Sequence, residues 1–62
     1  MARLLLPKGR HVNCRIIDLS ESGAAIAMSA ELRPEVGTMI TVGRVAGRVV
    51  RHIDDGVAME FT

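Results

Sequence analysis

Aromatic side chains are nearly absent: Phe61 is the only one, and there is no Trp or Tyr. Modules that hold single-stranded nucleic acid stack bases on aromatics, so that class of partner is disfavoured at once. An excess of one charge is missing too. Eight Lys and Arg against seven Asp and Glu leave a net charge of +1, too little to draw nucleic acid or an anionic membrane by field alone. No apolar run approaches the ~20 residues of a spanning helix. The opening Met1-Ala2-Arg3-Leu4-Leu5-Leu6 halts at Pro7 and is too short for a signal peptide. Cys14 is the only cysteine. No disulfide can form within the chain, and a lone thiol fits a reducing cytoplasm, which is the expected location. Cys14, His11 and His52 lack any paired spacing such as C-x-x-C or H-x-x-x-H, so no metal is expected. No nucleophile–base pair and no phosphate loop stands out; the chain reads as non-enzymatic, with no cofactor.

What the chain does have is aliphatic residues: 48% of its 62 residues are hydrophobic. That is a core-forming composition for one domain, residues 1–62. A chain this short buries only roughly 60% of its unfolded surface, so its core is thin. Turn signals recur every eight to fifteen residues, at Pro7-Lys8-Gly9, Ser20-Glu21-Ser22-Gly23, Arg33-Pro34-Glu35-Val36-Gly37 and Asp54-Asp55-Gly56. The D-G step reads as a tight hairpin, with Gly56 tolerating positive φ. Between the turns, hydrophobicity alternates. Val12, Cys14 and Ile16 oppose His11, Asn13 and Arg15; Val45, Gly47 and Val49 oppose Ala46, Arg48, Val50 and His52; Val57, Met59 and Phe61 oppose Ala58, Glu60 and Thr62. The period slips at Ile16-Ile17, which indicates a bulge or burial on both faces. The expected strands lie near 3–6, 11–18, 24–28, 38–43, 45–53 and 57–61. Residues 23–32 resist, because Ala, Met, Glu and Leu are good helix formers and Ile26/Ala30 and Met28/Leu32 are four apart. By propensity this segment is as good a helix as a strand.

Asp18, Ser20 and Gly23 spell D-x-S-x-x-G after an apolar strand. Taken alone, the pattern is turn chemistry: Asp and Ser side chains bond nearby N–H groups and Gly supplies positive φ. Downstream come a Val-rich strand, Arg48-Val49-Val50-Arg51-His52-Ile53, and the ending Gly56-Val57-Ala58-Met59-Glu60-Phe61. Together these segments resemble the PilZ domain family, from about residue 9 to 62. The resemblance implies an all-β fold, a small antiparallel β-barrel of the split-barrel type, with a strand at Ala24–Met28. It also implies a regulatory module that receives cyclic di-GMP. Asp18 would accept two N–H donors of a guanine edge, Ser20 would add a small donor and acceptor, and Gly23 would admit close backbone approach.

PilZ domains also carry R-x-x-x-R on an arm before the first strand, whose arginines clamp the ligand. Nothing upstream of Asp18 matches it: Arg3 is followed four residues later by Pro7, and Arg10 and Arg15 are five apart. Arg44-Val45-Ala46-Gly47-Arg48 has the spacing but lies downstream, a coincidence in an arginine-containing chain. The resemblance thus implies half a site in a domain shortened at its N-terminus. Asp18, Ser20 and Gly23 are the candidate contacts, with Arg10 or Arg15 partly replacing the arm, and weak binding of cyclic di-GMP is expected. The alternative is an adaptor that works through a protein partner without nucleotide. Cys14 reads as a small buried hydrophobe, His11 and His52 as surface strand residues, and Arg48 and Arg51 as a solvated face, with a place near the ligand in a PilZ-like barrel as the alternative. A first strand starting at Met1, with nothing upstream covering its edge, suggests homo-oligomers, strand exchange between copies being one route.

Overall fold

The computed structural model describes residues 2–62. It contains six strands: β1 (Ala2–Leu5), β2 (His11–Leu19), β3 (Gly23–Ala27), β4 (Met39–Val42), β5 (Val45–Ile53) and β6 (Gly56–Phe61). They close a barrel in the order β1-β2-β3-β6-β5-β4, with β4 returning to β1 and every neighbour antiparallel. Single 3-10 turns occupy Pro7–Gly9 and Ala30–Leu32. None of the described helices is long and apolar enough to cross a membrane.

The alternation seen in the sequence sorts residues to the two sides of the barrel wall. Leu4, Ile26, Ile40, Val42, Val49, Val57 and Met59 are buried, together with Leu6 and Cys14. They fill the lumen as side chains do in small barrels. The ambiguous stretch divides. Gly23–Ala27 is a strand paired with β2 on one side and β6 on the other, and only Ala30–Leu32 makes a helical turn, where Ser29 Oγ accepts from the Glu31 N–H at 3.4 Å. Two flanking ladders satisfy the backbone of β3, which outweighs a few tenths of a kcal/mol per residue of helix propensity.

Three expectations change. The hairpin at Asp54-Asp55-Gly56 forms, with Ile53 paired to Gly56, but for another reason than φ. Positive φ occurs at Lys8, Gly9, Gly37 and Gly43, not at Gly56. A Cβ at residue 56 would run into the Ile26 carbonyl, so glycine is needed there for close strand approach. Second, alternation in β5 is not strict. The anticipated bulge lies between Ile16 and Asp18, and a matching shift lies between Val49 and Arg51. It turns Arg51 to the outer face, where strict alternation from Val49 would have sent it inward. Third, β1 is paired on both edges, to β2 and to β4, so the edge expected to be open is closed; Met1 lies outside the described residues.

The segment after β3 is strapped to the β5–β6 hairpin. Arg33 Nη1 donates to the carbonyls of Ile53 at 2.8 Å and Gly56 at 3.4 Å, and His52 Nε2 donates to the Pro34 carbonyl at 2.7 Å. The Arg33 Nε is buried without a partner among the described residues.

Candidate ligand groove

The β2–β3 connection is a tight turn built by the D-x-S-x-x-G residues themselves. The Ser20 N–H donates to the Gly23 carbonyl at 2.9 Å. Ser20 Oγ accepts the Gly23 N–H and donates to the Gly23 carbonyl, both at 3.3 Å. Asp18 Oδ1 accepts the Leu19 N–H at 3.0 Å, which leaves Oδ2 without a bond among the described residues. Side-chain-to-backbone bonds of this kind are what the spacing dictates. The glycine, however, is not there for φ, since Gly23 has none of the positive values. A Cβ at residue 23 would collide with the Met59 carbonyl of β6. The motif's glycine is therefore fixed by strand packing, and its two polar side chains by the turn.

Register places the neighbours of this turn. Asp18 lies opposite Ala25, Ala25 opposite Ala58, and Ala58 opposite Arg51. These four form one row across β2, β3, β6 and β5 on the outer face of the barrel. Asp18 and Arg51 stand three inter-strand steps apart, roughly 14 Å along the sheet, with only methyl groups between them. In the adjacent row Gly23 lies opposite Glu60, and Glu60 opposite Arg48. Arg48 thus faces a carboxylate, a favourable cross-strand arrangement, whereas Arg51 faces an alanine. The floor of alanines and glycine, the turn, Arg51 and Glu60 enclose a groove of about 230 Å³. Sites that engulf a small molecule run to roughly 300–1,000 Å³; this one is a shelf on which part of a ligand can lie.

The other candidate residues go elsewhere. Arg10 follows the Pro7–Gly9 turn at the start of β2 and lines a separate depression with Lys8, Glu31 and Glu35. Eight residues separate it from Asp18, on the order of 26 Å along an extended strand. Arg15 is on the same outer face as Asp18 but opposite Ala27, where it borders a depression shared with Asn13 and Asp55. Arg51, read from the sequence first as part of a solvated face, is the cation that lines this groove. The signal was there: Val49-Val50 breaks alternation just as Ile16-Ile17 does. Among the described residues no three of His, Cys, Asp and Glu converge as a metal site. Cys14 is buried, and burial pushes its thiol above the ordinary value.

A sequence model of the PilZ domain matches residues 2–62. The chain belongs to the PilZ domain family. No curated protein and no solved structure matches it significantly. PilZ domains are regulatory modules associated with cyclic di-GMP, and this PilZ domain presents the family's D-x-S-x-x-G turn at the rim of its groove.

Proposed function

We propose that this PilZ domain is a cytoplasmic, non-catalytic module that receives cyclic di-GMP on the outer shelf of its barrel. The observation that carries the reading is the row Asp18–Ala25–Ala58–Arg51. A carboxylate with a free oxygen suits the paired N–H donors of a guanine edge. Alanine methyls offer a flat apolar floor for a base or ribose, and an arginine at the far wall suits a phosphate. The arm with R-x-x-x-R is not in this sequence, so one cation does the work of a clamp. A charge-assisted bond contributes about 1.5–3 kcal/mol, and losing two arginine contacts weakens binding by about two to four powers of ten. A receptor that would otherwise bind near micromolar then falls toward millimolar, an order-of-magnitude figure on the same scale.

Calorimetric titration of the chain with cyclic di-GMP tests the reading. Weak, salt-sensitive binding that disappears in Asp18→Ala supports it; tight binding indifferent to Asp18→Ala would place the ligand elsewhere.

One observation favours the adaptor alternative. Ser20 Oγ already both donates to and accepts from Gly23, so its hydrogen-bonding capacity is largely spent inside the turn. In this reading the module acts through protein contacts, with a second copy of itself or another chain, and shows no nucleotide-dependent heat at any concentration.

A further inference from the structure

The barrel closes at β1 and β4, yet one stretch of strand edge stays outside the closure. β1 begins at Ala2, opposite Cys14, while β2 runs on to Leu19. From Arg15 to Leu19, β2 is paired only to β3, and no described strand lies along its other edge. Among the described residues, the N–H and C=O groups of that edge have no strand partner. The edge also carries a concentration of exposed aliphatic surface: Ile16, Ile17 and Leu19 are 41%, 48% and 64% exposed. Charged side chains and bulges blunt an edge against chance pairing, and Arg15, Asp18 and the shift between Ile16 and Asp18 do so here against any strand that does not match them.

We infer that this edge pairs antiparallel with the same edge of a second copy of the chain, in a register centred between Ile16 and Ile17. The charge pattern selects both the partner and the register. The bulge at Ile17 puts Arg15 and Asp18 on one face, opposite Ala27 and Ala25 respectively; without it, residues three apart would point to opposite faces. In the centred register Ile16 lies against the partner's Ile17, and Arg15 against the partner's Asp18. The two-fold symmetry makes each of these contacts twice. A slip of one residue sets Ile16 against the partner's Asp18 and forfeits both ion pairs. The pairing also carries the partner's Arg15 to the rim of the groove at Asp18. Asp18 Oδ1 already accepts the Leu19 N–H, so the partner's guanidinium and a guanine edge compete for the remaining lone pairs. The inference stands on the open edge and its charges, and holds whether or not nucleotide binds.

Five residues per copy make a small contact, in the class of transient encounters burying under about 1,200 Å², so a sub-millimolar dimer is expected. The test is sedimentation of the 62-residue chain without nucleotide, from micromolar to millimolar concentration, with amide exchange followed at residues 15–19. Concentration-dependent dimerisation is expected, with Ile16 and Ile17 amides protected as dimer forms. Arg15→Asp and Asp18→Arg should each abolish it, and the double charge reversal should restore it. Both side chains are exposed, and a thermal melt of each variant checks that the fold survives. A chain that stays monomeric at millimolar concentration overturns the inference and leaves the edge to an upstream segment or a different protein. A dimer that persists in both single variants overturns it as well, by placing the interface elsewhere.

Discussion

The inner and outer faces of β3 and β6 are built from the same two backbones and differ in almost everything else. Inward, Ile26, Val57 and Met59 are buried and pack with Leu4, Ile40 and Val49 across the lumen. Outward, the same strands show Gly23, Ala25, Ala27 and Ala58, with larger polar groups only at the margins. A barrel of this size has one place to bury large side chains, and that place is inside. The outer face carries little of the packing and is free to be shaped as a shelf. Substitutions of side chains should therefore divide, those on the inner face acting on stability and those on the outer face on binding; Gly23 and Gly56 stand apart, because a Cβ on either meets the backbone of a neighbouring strand.

The sharpest way to break that division is from the inside. Ile26→Ala empties a fully buried site and should cost about 2–5 kcal/mol. A chain of 62 residues has about 3–9 kcal/mol of stability in total, on a typical 0.05–0.15 per residue. Thermal denaturation followed by circular dichroism should show a largely unfolded population or a strongly lowered midpoint. Gly56→Ala, which drives a methyl into the Ile26 carbonyl, should cost about 1–3 kcal/mol in the same measurement, although it leaves Asp54 and Asp55 untouched. A stable Gly56→Ala variant would mean that β3 and β6 can spread apart.

On the outer face the expected effects are on ligand and not on fold. Asp18→Ala should lower cyclic di-GMP binding about 10- to 100-fold, the equivalent of about 1.5–3 kcal/mol. Its melting free energy should move within about 0.5 kcal/mol. Arg51→Ala should weaken binding about tenfold and flatten its salt dependence, while Arg10→Ala, in the other depression, should change neither. If Arg10→Ala proves as damaging as Arg51→Ala, the shelf is not where phosphate sits.

The smallest effect concerns Cys14. Burial raises its thiol pKa, so the folded state resists ionisation. That part of stability is fully present below the ordinary thiol range. It declines as pH rises from there through the folded value. Cys14→Ala should remove this alkaline slope, and the native thiol should react slowly with alkylating reagents at neutral pH.

Five of the six strands were readable because alternation and turn residues are local signals, and so was the bulge at Ile16-Ile17. The helix option at residues 23–32 stayed open for the opposite reason. Small helix-forming residues suit a strand only when ladders flank it on both sides, as β2 and β6 flank β3, and flanking is a tertiary fact. Of the candidate site, Asp18, Ser20 and Gly23 come together at one rim because they share one turn. Arg10 and Arg15 were candidates because they could partly replace the arm upstream of Asp18, and strand geometry carries Arg10 to a different depression.

By itself, then, the order of residues determined five of the six short strands and the local bonding of the Asp18–Gly23 turn, since both depend on neighbours within a few positions. The barrel decided the rest. Gly23 and Gly56 owe their identity to carbonyls of strands distant in sequence, Met59 and Ile26. Arg51 reaches the groove only because a bulge in β5 and the β3-β6-β5 strand order set it in line with Asp18. Side-chain period within a strand can be read from one segment, whereas which segments lie side by side, and in what register, is settled only when all six close on a common core.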